Sequence, residues 1–278
     1  MVVKHLGNTD FEIIMECFLS AFDNYYVKMP TDYSYYKTRW KAAKVNFNLS
    51  YGMFDKEKLV GFIINAVDER KGETFAFNTG TGVIPSYRGK RIVKTIYNYA
   101  IPDLLKNGIT KCSLEVIVEN KKAIQSYKSI GFKICKNFKC FNNELRQSKN
   151  ELKIVVTTFN QINWKQIPNQ YNYSWDFQSK SLEKSNSKYY YVYNKNEVES
   201  FFALNLENGT INQLEVLKDN SSNWERLFQA ISTIAQKIRI INVDDRLENK
   251  LFALHQAGFK NTVNQYEMEL TLSEFKVK

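Results

Sequence analysis

The chain has 278 residues, which is long for one compact domain and predicts two. Hydrophobic residues make up 44% and charged residues 24% of it, a balance that indicates a globular protein and excludes a disordered one. The net charge is +10, but no run of basic residues is longer than a pair, so the sequence favours an anionic ligand over a nucleic-acid-binding stripe.

Cysteine and histidine usage argues against a disulfide framework and against a zinc site, because no Cys-x-x-Cys pair occurs and only two histidines are present. The N-terminus lacks the apolar core of a signal peptide, and the longest apolar stretch, residues 59–67, is too short to span a bilayer. We therefore expect a soluble cytoplasmic protein without a metal. The four cysteines are Cys17, Cys112, Cys135 and Cys140.

The first third of the chain predicts two helices followed by antiparallel strands. Thr9 and Glu12 have the spacing of a capping box, and apolar residues follow at helical intervals. A turn around residues 55–58 separates two alternating segments, which predicts a hairpin. The expected helices are 9–27 and 31–46, and the expected strands are 49–54, 59–67 and 74–84.

The next segments predict a strand–helix–strand crossover. We expect a helix over 88–107, broken near Pro102, then a strand at 111–118, a helix at 120–130 and a strand at 132–141. The crossover should make strands 74–84 and 111–118 parallel. The fold class is therefore α/β, with a twisted mixed sheet flanked by helices. Because residues 142–151 are polar and aperiodic, we place domains at 1–146 and 147–278.

The second half of the chain resembles a divergent repeat of the first half. Residues 194–202 parallel 55–63, and Gly258-Phe259-Lys260 parallels Gly131-Phe132-Lys133. Leu254 falls where Tyr127 would be, and the acidic segment 219–222 replaces a basic turn. The second domain is therefore expected to keep the fold and to lack an anion-binding turn.

That basic turn lies within residues 83–93, where an apolar strand meets Pro85 and an Arg-Gly-Lys sequence precedes an apolar-periodic helix. Backbone N–H groups and the positive end of a helix dipole converge at such a turn, and both suit a phosphate. A basic surface turn without a ligand is the alternative interpretation of the same residues.

The turn and the segment Asn120-x-x-Ala123-x-x-x-Tyr127-x-x-x-Gly131-Phe132 together resemble the Gcn5-related N-acetyltransferase (GNAT) superfamily. In the turn, Arg91 stands where the superfamily has glycine, and Val93 where it has a small residue. The resemblance implies two tandem GNAT-like domains, the second degenerate, and an acetyl-coenzyme A site in the first. It implies cofactor contacts from Gly82, Val83, Ile84, Arg88, Gly89, Lys90, Arg91, Ile92, Val93, Asn120, Ala123 and Tyr127.

The resemblance also implies the catalytic groups. Tyr127 would protonate the departing thiolate, and backbone N–H groups near Gly82–Ile84 would stabilise the oxyanion. Glu115 is similar to the Leu-Glu-Val glutamate of ribosomal-protein N-terminal acetyltransferases and is the candidate base. A solvent-facing strand glutamate and a tyrosine packed on the sheet remain the structural alternatives.

The implied activity is acetyl-CoA-dependent transfer of an acetyl group to a primary amine of a small molecule or a peptide N-terminus. The alternative is a non-catalytic acyl-CoA-binding or interaction protein on the same scaffold. We expect no nucleic-acid or membrane partner, and a homodimer stays open. One further group could line an aromatic pocket for a cationic amine, or belong to the core or an interface: Asp23, Tyr25, Tyr26, Tyr33, Tyr35 and Tyr36.

Overall fold

The computed structural model describes residues 1–70 and 72–275 and divides the chain into two units. The first unit comprises Met1–Cys135 together with the C-terminal residues from Tyr266 onwards, and the second comprises Lys136–Gln265. This division differs from the predicted boundary at residue 146, because the first unit takes its last strand from the far end of the chain.

The sheet of the first unit has the strand order β1-β2-β3-β4-β5-β12, in which β12 contributes its residues from Tyr266 onwards. The pairs β1–β2, β2–β3 and β3–β4 are antiparallel, and β4–β5 is parallel, as predicted for the crossover. The elements are β1 (Val2–His5), α1 (Phe11–Ala21), α2 (Tyr33–Ala43), β2 (Tyr51–Asp55), β3 (Lys58–Arg70), β4 (Glu73–Val83), α3 (Ile92–Lys106), β5 (Lys111–Ile117), α4 (Lys121–Ile130) and β12 (Lys260–Thr271).

Two local predictions for the helices of this unit are wrong. The N-cap of α1 is Asp10, without a side-chain cap, so Thr9 and Glu12 do not form a capping box around it. Helix α3 is not broken at Pro102 but continues through it to Lys106. Proline removes one intrahelical hydrogen bond, and the buried apolar face of α3 packs against the sheet and keeps the helix continuous.

Helices cover both faces of this sheet. A side chain at Gly80 or Gly82 would meet Phe18 or Ala21 of α1, so these two positions of β4 face that helix. A side chain at Gly61 of β3 would meet Ile92 of α3. The mixed α/β architecture predicted from the element order is therefore confirmed for this unit.

The second unit repeats this architecture with the strand order β6-β11-β10-β9-β8-β7, in which β10 and β11 are parallel. Residues 142–144 of the predicted linker pair with β11, so they belong to a strand. The elements are β6 (Lys133–Glu144), β7 (Lys153–Thr157), α5 (Ser179–Leu182), β8 (Lys188–Asn194), β9 (Glu197–Asn205), β10 (Thr210–Val216), α6 (Ser221–Ile234), β11 (Lys237–Asp244) and α7 (Glu248–Gln256).

Backbone geometry supports the internal repeat. Lys56 in the β2–β3 turn and Lys195 in the β8–β9 turn both have left-handed φ angles, 55° and 56°. Gly131 and Gly258 follow the ends of α4 and α7 and also have positive φ. The two turns and the two helix ends that matched in the sequence therefore match in conformation.

No helix within residues 1–70 or 72–275 combines the length and the apolar character that a bilayer crossing needs.

Candidate active site

A cleft opens in the first unit where β4 and β5 part. The two strands pair from Phe75 opposite Lys111 to Asn78 opposite Leu114, and each then runs on without pairing to the other. At the same level the register of β3 and β4 shifts, which leaves Thr79 as a bulge. A bulge bends its strand, and this one lies where the pairing of β4 with β5 ends.

The basic turn of residues 88–91 comes after β4, one of the two parting strands, and leads into α3. Helix α3 begins at Ile92, and no side chain caps its N-terminus. Gly89, Lys90 and Arg91 are exposed, and none of their N–H groups donates to another described residue. The first turn of a helix also leaves its own N–H groups without intrahelical acceptors. The donors of this segment are therefore free to bind an anion.

Side-chain hydrogen bonds of Tyr87 and Arg88 hold the basic turn in place. Tyr87 donates its hydroxyl to Asp55 Oδ2 at 2.6 Å. Arg88 donates Nε to the carbonyl of Val83 at 3.2 Å and Nη2 to the carbonyl of Ala21 at 3.1 Å. The sequence placed Arg88 among the cofactor contacts, whereas its guanidinium holds the end of β4 to the end of α1. Nothing in the sequence singled out Asp55 for such a role.

Arg91 has a left-handed backbone, with φ 56° and ψ 23°. This conformation costs a residue with a Cβ about 1 kcal/mol and favours glycine, the residue that the superfamily has here. Val93 lies inside α3 with helical geometry, so its side chain carries no such cost. The two departures from the superfamily pattern therefore differ physically: the one at Arg91 strains the backbone and the one at Val93 does not.

The predicted oxyanion donors at Gly82–Ile84 are not equivalent. The N–H of Ile84 donates to the carbonyl of Val60 at 3.0 Å and is directed at β3. Hydrogen bonding alternates along an antiparallel pair, so the N–H of Gly82 also points to β3 and that of Val83 points to the opposite edge. Val83 is therefore the residue of this set whose N–H faces the cleft.

Helix α4 follows β5, the other of the two parting strands. Its N-cap is Asn120, whose Oδ1 accepts a hydrogen bond from the N–H of Ala123 at 3.2 Å. Tyr127, two turns along, packs its ring against Phe132 at 5.8 Å. The side chain of Ala123 is small and half-buried. The three residues lie on one short helix, as the motif requires.

Tyr127 remains protonated over the whole physiological range. Its side chain is 8% exposed, and burial raises its pKa to about 12, although the nearby Thr81 hydroxyl acts in the opposite direction. A protonated phenol can donate but cannot act as a base at neutral pH. The environment of Tyr127 is therefore compatible with the predicted role of general acid.

Glu115 lies on the other face of β5. Asn78, which lies opposite Leu114, donates to the hydroxyl of Tyr97 of α3 at 2.9 Å, and this places positions 112, 114 and 116 of β5 on the α3 face. Glu115 therefore points to the α1 face, and its side chain is half-buried. The two predicted catalytic side chains, Tyr127 and Glu115, flank β5 from opposite sides.

The segment after α1 reaches the cleft. Tyr25 is half-buried and its hydroxyl interacts with Asn120, while the hydroxyl of Tyr26 donates to the carbonyl of Glu119 at 3.3 Å. Tyr36 is instead a core residue, which donates to the carbonyl of Pro30 at 3.0 Å. Of the predicted aromatic group, Tyr25 and Tyr26 thus contact the cofactor segment.

Residues 11–132 match the model of the acetyltransferase (GNAT) family. This range contains the parted strands, the basic turn and helix α4. No curated protein sequence matches the chain.

Solved structures match almost the whole chain in fold. A GCN5-related N-acetyltransferase from Sphaerobacter thermophilus superposes with a TM-score of 0.68 at 8% identity, over 98% of this chain and 95% of its own. A tandem GNAT protein from the clavulanic acid biosynthesis pathway has a TM-score of 0.66 at 9% identity, over 98% and 99% of the two chains. A GCN5-related N-acetyltransferase from Anabaena variabilis has a TM-score of 0.62 at 10% identity, over 98% of this chain and 72% of its own.

Residues 11–132 therefore belong to the GNAT acetyltransferase family, and the chain as a whole has the fold of a tandem GNAT protein. The resemblance that the motifs indicated is confirmed.

Proposed function

We propose that the first unit is an N-acetyltransferase that uses acetyl-CoA and acts on a primary amine of a small molecule or a peptide N-terminus. Family membership supports acyl transfer in general, and the donor, the acceptor and the residue roles are our proposal.

The uncapped N-terminus of α3 at the mouth of the parted strands is the observation that carries this proposal. Its free N–H groups, the helix dipole and the exposed Lys90 and Arg91 form a site for a diphosphate. The gap between β4 and β5 leads from there towards Tyr127. Residues 88–93, Asn120 and Ala123 would hold coenzyme A along this path.

Bound acetyl-CoA would supply the thioester that the amine attacks. The N–H of Val83 would donate to the carbonyl oxygen as negative charge develops on it. Tyr127 would donate its hydroxyl proton at the departing sulfur. Glu115, on the α1 face of β5, would take the proton of the amine, directly or through water.

A thermal-shift titration with coenzyme A tests the proposal, because a ligand that binds the folded state raises the melting temperature. We expect a saturable rise, and acetyl transfer to at least one member of an amine panel by a free-thiol readout. Arg88→Ala should reduce the rise by loosening the turn. The absence of any rise at millimolar coenzyme A would refute the proposed site.

The second candidate is a protein that binds acyl-CoA without transferring the acyl group. The left-handed Arg91 favours it, because this position departs from the superfamily pattern at some cost to the backbone. Coenzyme A binding without turnover of any amine in the panel would support this alternative.

A further inference from the structure

The second unit contains an equivalent opening that the chain itself fills. Strands β10 and β11 pair at Thr210–Arg239 and Ile211–Ile240, and both run on beyond these positions without pairing to each other. The register of β9 and β10 skips Asn212, as that of β3 and β4 skips Thr79. Both features of the first cleft are therefore present in the second unit.

A buried ion pair lies where β10 and β11 part. Lys250 Nζ of α7 is 2.5 Å from Glu215 Oε1 of β10, and the two residues are 3% and 1% exposed. The hydroxyl of Tyr173 donates to the same oxygen at 2.6 Å and accepts from Lys250 Nζ at 3.1 Å. The three side chains form a closed polar triad.

The segment 169–173 seals the opening around the triad. Asn169 donates to Glu215 Oε2 at 2.9 Å, and Asn172 donates to Asp244 Oδ2 of β11 at 3.1 Å. The cavity that remains is about 10 Å³, which is roughly the space of one water molecule. We call Asn169–Tyr173, Glu215 and Lys250 the plug.

The two charged residues of the plug occupy landmark positions of the repeat. Lys250 lies eight residues before Gly258, as Ala123 lies eight before Gly131. Glu215 lies three residues after the bulge at Asn212, as Gly82 lies three after the bulge at Thr79. A glycine of β4 and an alanine of α4 are thus replaced by two long, oppositely charged residues.

We propose that the plug is a built-in occupant of the second cleft, so that the chain binds a single coenzyme A, in the first unit. This inference rests on the proposed function for its ligand. A buried charge without its partner is costly, so neither Lys250 nor Glu215 can turn away to admit another molecule.

Calorimetric titration of the full chain with coenzyme A tests the stoichiometry. We expect one site per chain, and we expect Ala123→Lys, which places the lysine of the plug in the first cleft, to abolish binding. Gln125→Lys, which adds the same charge at an exposed position of α4, should retain binding within about threefold and serves as the control. Two sites in the natural chain, or one site that survives Ala123→Lys, would overturn the inference.

A stability cycle tests the plug without any ligand. Lys250→Met should lower the melting temperature by about 10 °C, because it leaves Glu215 buried without its cation. The double variant Lys250→Met/Glu215→Leu should recover at least half of that loss. Lys218→Met is the control, because Lys218 forms an exposed ion pair with Glu197 at 3.9 Å. This variant should change the melting temperature by less than about 2 °C.

The two experiments separate the possible failures. If the natural chain binds no coenzyme A, the proposed function fails and the plug is judged by the stability cycle alone. If the losses of melting temperature in Lys250→Met and in the single variant Glu215→Leu simply add in the double variant, Lys250 and Glu215 do not act as a pair, and the plug is rejected whatever the titration gives.

Discussion

Arg91 combines a strained backbone with an exposed position at the start of α3. The donors that we assign to the cofactor are main-chain N–H groups, which any residue except proline supplies. The side chain of Arg91 can add charge to the site but is not needed to form it. A substitution of Arg91 can therefore relieve the backbone strain without removing the N–H groups that we assign to coenzyme A binding.

Arg91→Gly should raise the free energy of unfolding by about 0.5 kcal/mol, since relief of the left-handed strain exceeds the entropy that glycine loses on folding. Coenzyme A binding should weaken by less than about tenfold, the amount that one exposed charge contributes. Urea unfolding and calorimetry measure the two effects. Gly89→Ala, which instead adds a Cβ at a position with a φ of 80°, should destabilise the turn. A loss of stability in Arg91→Gly would contradict the strain argument.

Tyr127→Phe should lower kcat about 100-fold and leave the dissociation constant of coenzyme A within about threefold, because the change removes only the hydroxyl that donates the proton. Steady-state kinetics and calorimetry on the same preparation separate the two quantities. Tyr97→Phe, which removes another buried hydroxyl near the cleft, serves as the control for general damage. An unchanged kcat would remove Tyr127 from the mechanism.

At the scale of elements, three helix N-termini differ in how they are capped. Asn120 caps α4, and Asn220 caps α6 by accepting from the N–H of Asn223 at 2.9 Å. Helix α3, which follows β4 as α6 follows β10, has no side-chain cap. The N–H groups at the N-terminus of α3 therefore have no side-chain acceptor in the first unit, whereas one N–H group at the N-terminus of α6 is hydrogen-bonded to Asn220 in the second.

Asn120→Ala should cost about 1 kcal/mol of stability and also weaken coenzyme A binding, because Asn120 both caps α4 and borders the cleft. Asn220→Ala is the matched control and should cost a similar amount without any effect on binding. Chemical denaturation and calorimetry give the two readouts. Equal effects of the two variants on binding would mean that Asn120 acts only as a cap.

The helix predictions failed where local signals competed with packing. Thr9 and Glu12 have the spacing of a capping box, but the helix begins one residue later, with Asp10 at the N-cap. Pro102 is a strong breaker in isolation, yet α3 passes through it because its flanking apolar side chains are buried. Short-range sequence patterns do not contain these tertiary contributions.

At the scale of the whole molecule, the first unit depends on the C-terminal end of the chain. Residues from Tyr266 to Thr271 of β12 complete its sheet next to β5, and Met268 and Leu270 are buried in its core. The residues of the GNAT family match, 11–132, therefore do not contain the whole unit.

A chain that ends after Gln265 should lose coenzyme A binding and the cooperative unfolding of the first unit, because the apolar edge of β5 would be left open. Circular dichroism melts and the thermal-shift titration provide the measurement. A chain that ends after Phe275 is the control and should behave as the full chain does. Normal binding by the shorter chain would show that β12 is dispensable.

Alkaline pH should destabilise the whole molecule. Burial raises the pKa of Tyr36 and Cys112 to about 12, as it does for Tyr127, so the folded chain retains protons that the unfolded chain releases near pH 9–10. The contribution of these protonated groups to the free energy of unfolding is complete below pH 9 and is lost as the pH rises towards 12. Urea midpoints at pH 7.5, 9.5 and 10.5 measure it. A constant midpoint up to pH 10.5 would contradict the burial of these groups.

The sequence by itself determined the order of the elements, the parallel crossover, the internal repeat and the motif residues from Arg88 to Gly131, because periodicity, turn residues and motif spacing are local properties. The tertiary structure decided which strand completes the first unit, that the N–H of Val83 rather than that of Ile84 faces the cleft, and that Lys250 meets Glu215. Each of these depends on residues brought together from distant parts of the chain, and a single sequence carries no local signal for such contacts.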